Sequence, residues 1–116
     1  MTDKQLLARV KYWVKRMGLE HLQINVKSFR DSEDNVAGSA LPNPQYRSGV
    51  LRFNLGHEEM KISPDIVIKH ELAHLMVAMF AQAAMHAIED PTIKKILEDL
   101  EDEIVTSISW MPALAE

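Results

Sequence analysis

The chain has 116 residues, 47% of them hydrophobic and 26% charged, which excludes a disordered chain and leaves one domain of ordinary size. Thirteen Lys and Arg against 17 Asp and Glu give a net charge of −4, which argues against broad charge-driven binding of nucleic acid. There is no cysteine, so disulfides and thiolate zinc sites are out, and any metal must be held by His, Asp or Glu.

The start, Met1-Thr2-Asp3-Lys4-Gln5, is polar and unlike a secretory leader. No apolar run reaches the roughly 20 residues that span a bilayer. A cytoplasmic protein without a membrane segment is the expectation. Residues 3–17 read as a first helix, since Leu6, Leu7, Val10, Trp13, Val14 and Met17 recur at spacings of three and four. Thr2 or Asp3 can cap it and Gly18 can end it.

From Leu22 the period changes to two, and residues 22–29 read as a half-buried strand. Arg30 to Asn35 is a polar turn, and Val36 to Leu41 a short strand that Pro42-Asn43-Pro44 breaks. Ser48 to Leu55 is the third strand and Gly56 its end. The connections are too short for crossover helices, so an antiparallel three-stranded sheet is expected. After a polar link, Ser63, Pro64 and Asp65 are helix-start residues, and a long apolar helix follows over about 64–87. Asp90 and Pro91 open a last helix, about 91–109, whose stripe of Ile93, Leu97, Leu100, Ile104 and Ile108 is expected to face the core. Trp110-Met111-Pro112 ends it before a loose tail. The order is helix, three strands, two helices: an α+β domain.

The long helix carries His70-Glu71-Leu72-Ala73-His74, one copy of H-E-x-x-H. On a helix the two histidines lie one turn apart on nearly the same face, so both imidazoles can reach one tetrahedral ion. Glu71 sits beside the same site, placed to take a proton from a metal-activated water. The flanks Ile66, Val67, Ile68, Leu72, Leu75, Met76 and Val77 mark a buried helix, where inward histidines and a glutamate are costly unless paired or bound to metal. The bland alternative is a pair of core histidines satisfied by backbone carbonyls.

A catalytic zinc takes three protein ligands and one open position. His86 lies roughly 18 Å farther along a continuous helix, too far to share the ion. The last helix offers Glu98, Asp99, Glu101, Asp102 and Glu103. Helical phase puts Glu101 next to the apolar stripe, Glu103 at its other border and Asp102 on the far side. Glu101 is therefore ranked first, Glu103 second and Asp102 third.

The five-residue motif, followed after 26 residues by Glu101-Asp102-Glu103-Ile104-Val105, resembles the gluzincin branch of zinc metallopeptidases. In particular the chain resembles minimal gluzincins and small H-E-x-x-H proteins of phage and prophage origin. That resemblance implies a zincin-like fold, with His70, His74 and Glu101 holding Zn2+ and Glu71 as general base. It also implies hydrolysis of a peptide or protein substrate lying extended along the 48–55 strand as an edge strand above the cleft. Larger gluzincins place an acidic residue four positions after the ligand glutamate, to orient a histidine. Here Val105 follows Glu101 by four and Ser107 follows Glu103 by four. Tyr46, Arg47 and His57 are candidates for stabilising an oxyanion, although His57, like His21, also reads as an ordinary surface histidine. Two rival readings remain: a non-catalytic zinc-binding accessory or structural module of a phage, and a DNA-associated protease of the SprT-like kind. The acidic charge and the lack of cysteines weigh against the second rival.

Overall fold

A computed structural model describes residues 1–87 and 90–109, without the side chains of 83, 85–87, 97, 102 and 107–109. The expected turn at Trp110-Met111-Pro112 and the tail lie outside the described residues. The elements are helix α1 (Asp3–Arg16), strands β1 (Gln23–Phe29), β2 (Gly38–Asn43) and β3 (Ser48–Asn54), and helices α2 (Glu58–Ile62), α3 (Pro64–Ala87) and α4 (Pro91–Ser109). A 3-10 turn, Pro44–Tyr46, joins β2 to β3. This is an α+β architecture with one element more than expected, because the polar link after Gly56 folds into α2. His57 starts that short helix: its Nδ1 accepts from the Glu59 backbone N–H at 3.1 Å. No described helix is long and apolar enough to cross a membrane.

The strand order is β1-β3-β2, with β3 parallel to β1 and antiparallel to β2. The sheet is therefore mixed, and the expected antiparallel sheet is corrected. The expectation assumed that each strand pairs with the next one in sequence. Instead residues 30–37 carry the chain past a vacant strand position, about 10 Å at a strand spacing of about 4.8 Å, and β3 then fills the gap. No helix is needed, because the crossing is made by a loop and β2 itself. A second correction follows: the 48–55 strand lies at the centre of the sheet, and β1 and β2 are the edges.

Asn54 pins the crossing. Its side chain is fully buried, accepts from the Asp31 and Gly56 N–H groups at 2.9 and 3.0 Å, and donates to the Asp31 carbonyl at 2.7 Å. An amide buried this deeply is tolerated because both its ends are bonded.

The main core joins Leu6, Val10 and Trp13 of α1, Leu51 and Phe53 of β3, Met60 of α2, and Val67, Ile68, Leu72 and Leu75 of α3. Thr2 starts α1 with a capping box, accepting from the Gln5 N–H at 3.2 Å while its own N–H donates to the Gln5 side chain at 2.9 Å. β3 comes close to α3 at Gly49: a Cβ there would lie 2.5 Å from a Leu75 methyl, so a larger residue would force the Leu75 side chain to shift.

On α4 the expected orientation is overturned. Ile93, Leu100 and Ile104 are 43%, 41% and 45% exposed, while Val105 is fully buried against Ala73 and Val77 of α3. At 100° per residue, α4 turns the line of Lys94, Glu101 and Val105 toward α3, and its apolar stripe lies about 90° away from that line. Small residues on α3 explain this. Ala73 and Val77 leave a narrow seat that one valine fills, whereas a stripe of Ile and Leu is too broad for it. Leu97 and Ile108 of the expected stripe have side chains outside the described residues.

Candidate metal centre

α3 sets the site. Apolar residues on most of its circumference anchor the helix between the sheet, α1 and α4, which fixes the directions of His70, Glu71 and His74. The two imidazoles converge. Their Nε2 atoms are 3.2 Å apart, with ring centroids 4.8 Å apart and planes at 80°. Two nitrogens bound tetrahedrally at about 2.0–2.1 Å from one zinc sit about 3.3 Å from each other. The observed separation fits a shared ion. His70, Glu71 and His74 each offer a donor atom, and these all lie within 4.8 Å of one another. That group could hold a metal ion, as nitrogen and oxygen donors suit a borderline cation.

Glu71 is buried, and its carboxylate is 3.9 Å from His70 Nε2. Burial pushes its pKa above the ordinary carboxylate value, and the nearby His74 opposes the shift. A carboxylate with raised basicity beside a metal site is suited to hold a proton in transit. It opens into a cleft of about 270 Å3 lined by Ala37, Gly38, Glu59, Ile66, Val67 and His70. Gly38, at the start of β2, allows the strand to come this close: a Cβ there would meet Glu71 Cγ at 3.2 Å and Val67 at 3.1 Å.

The structure brings Glu101 to the site from α4. Its Oε1 is 3.7 Å from His74 Nδ1, the nitrogen on the other side of the ring from the His70 contact. That distance is longer than a hydrogen bond, and Glu101 is not part of the closest donor group. Glu103 is exposed, and the side chains of Asp102, His86 and Ser107 lie outside the described residues. Of the oxyanion candidates, His57 caps α2, Tyr46 is exposed in the 3-10 turn, and Arg47 lines a different cleft. The residues that sequence reasoning missed are Ala37, Gly38 and Glu59. A glycine at the start of a strand was the available signal for a close backbone approach.

On the α1 side, α3 holds a second set of polar groups. Lys69 is buried with its Nζ 4.8 Å from the Trp13 ring centroid. The Trp13 indole N–H donates to Asp65 at 3.1 Å, and Arg9 donates to the same carboxylate at 2.7 Å.

No family model, curated protein or solved structure matches this chain.

Proposed function

We propose that the chain is a zinc-dependent metallopeptidase of the gluzincin kind, with His70 and His74 as metal ligands, Glu71 as general base and Glu101 completing the site from α4. The observation that carries this reading is the 3.2 Å convergence of two imidazoles next to a buried glutamate that opens into a cleft. Zn2+ held there would supply Lewis acidity, lowering the pKa of a water toward neutral and polarising a carbonyl. Glu71 accepts the proton that this water loses and delivers it to the leaving amine. Its burial suits it to both halves of that transfer. Glu101 joins α4 to the site through His74, either as the third ligand or by ordering the ring at Nδ1.

The peptide adds as a strand to the free edge of β2, which pairs only with β3 among the described residues. The gap next to β2 at Gly38 brings such a strand to Glu71. In this reading β2 takes the place expected for 48–55.

A second reading, a zinc-held module without catalysis, is favoured by one observation. Glu101 reaches His74 across the α3–α4 contact, so a metal there would also tie the two helices together. The deciding experiment compares wild type with Glu71→Gln, loaded with zinc, on an unstructured protein substrate such as casein. Zinc content should be unchanged, and cleavage should fall by about 100-fold or more. Equal cleavage by the two proteins removes Glu71 from its role; no cleavage by wild type favours the module.

A further inference from the structure

A second, larger cleft does not touch the histidine pair. It holds about 850 Å3, at the end of the sheet where β2 stops and β1 and β3 begin, against the second half of α3. Met76, Met79 and Phe80 line it with apolar surface, and Phe80 is 76% exposed. His21, Arg47 and Gln82 supply polar groups. Its size and mixture of surfaces are those of a ligand pocket. Among the described residues no carboxylate lines it and no ion pair engages Arg47, although the chain as a whole is acidic.

Arg47 is also the one described non-glycine residue with positive φ, at φ 49° and ψ 46°. Two backbone hydrogen bonds hold it there: its N–H donates to the Pro44 carbonyl and its carbonyl accepts from the Gln23 N–H. Glycine adopts this conformation without strain, so a guanidinium is kept where the backbone favours none.

We propose that this cleft is a second anchor for the peptide, holding an apolar side chain and a carboxylate two positions from it, on the same face of the strand, several residues away from the bond that is cut. The proposal rests on the peptidase reading and names its substrate class: extended segments with an acidic–apolar pair. The free edge of β2 runs from Gly38, beside Glu71, to Asn43, beside the cleft residue Pro44, with Gly38 and Ala40 offering N–H and carbonyl groups to an added strand and Pro42 a carbonyl alone. That is about 17 Å at about 3.3–3.4 Å per residue. A strand paired along this edge, with its reacting bond near Glu71, delivers a residue about five positions away to the far cleft. The carboxylate meets Arg47, the cation of this cleft, and the apolar side chain lies on Met76, Met79 and Phe80.

The test measures binding of labelled synthetic peptides to zinc-loaded Glu71→Gln. The peptides have equal length and an otherwise identical uncharged sequence, with Leu-Ala-Glu or Ser-Ala-Gln placed at the N-terminal or the C-terminal end. One Leu-Ala-Glu peptide should bind about tenfold more tightly than its Ser-Ala-Gln control, and Arg47→Glu added to the same protein should erase the difference. Arg47→Gly should erase it too while leaving thermal stability unchanged or higher, which separates lost binding from lost folding. No preference at either end, or a preference that survives Arg47→Glu, overturns the proposal. So does a concentration-dependent dimer that Arg47→Glu dissociates with no change in peptide binding, since a second copy would then fill the cleft. Cleavage by zinc-loaded wild type is read separately. An Arg47-dependent preference without any cleavage sinks the peptidase reading and leaves the anchor; cleavage of all peptides with equal kcat/KM does the reverse.

Discussion

α3 buries two charged side chains two positions apart, and the two are treated in opposite ways. Lys69 points to α1, where its ammonium lies over the Trp13 ring and the indole N–H is bonded to Asp65, which is in turn bonded to Arg9. Glu71 points to β2, where burial raises its pKa and the imidazoles of His70 and His74 stand close to it. The α1 side spends its polar groups on one another, so it joins two helices. The β2 side sets a carboxylate beside two converging imidazoles at the border of a cleft, a group that could hold a metal ion. A helix that needed both only for stability would be better served by apolar residues.

If this contrast is right, substitutions on the two sides should separate stability from metal binding. The largest effect is expected from His74→Ala. Zinc retained through dialysis, measured by elemental analysis, should drop to background, with the unfolding midpoint of the metal-free protein little changed. Next is Trp13→Ala, which should cost about 3–5 kcal/mol in chemical denaturation, as a large buried side chain is lost together with the platform for Lys69. Zinc affinity per folded molecule should survive it; parallel loss of both would merge the two sides into one. Glu101→Gln should weaken zinc binding by about 10–100-fold in a competition titration, whether it acts as ligand or as orienting group. Asp65→Asn should cost about 1–2 kcal/mol and leave zinc affinity unchanged. Smallest of all, Leu100→Lys should change stability by no more than about 0.5 kcal/mol, because that side of α4 faces solvent. A loss of several kcal/mol there would restore the inward stripe expected from the sequence.

What could be read in advance depended on whether the signal was local. H-E-x-x-H needs only the pitch of one helix to bring its imidazoles together, and the rings do meet. The limits of α1, α3 and α4 follow from spacing, proline and capping residues, which are equally local. The strand order was not legible, because the pattern of β1 and β3 does not record that β3 would enter between two strands already passed. The rotation of α4 was not legible either. Amphipathicity gives the apolar side of a helix, but the seat on its neighbour decides which line is buried, and here that seat is Ala73 and Val77. Glu101 was ranked for lying beside an inward stripe, yet it reaches α3 because the stripe turned outward. Its approach to His74 therefore comes from a rotation that the phase argument did not contain.

The sheet order also sets a sequence of events in folding. β2 and β3 are joined by a few residues and can zip as a hairpin, whereas Gln23 must find Ser48 across a span of 25 residues. Closing that longer span is slower, so β1 should dock last. Substitutions at Leu41 or Val50 should then slow refolding, and those at Ile24 or Val26 should chiefly speed unfolding. The half of the molecule that borders the imidazole pair would thus be assembled before the sheet is complete.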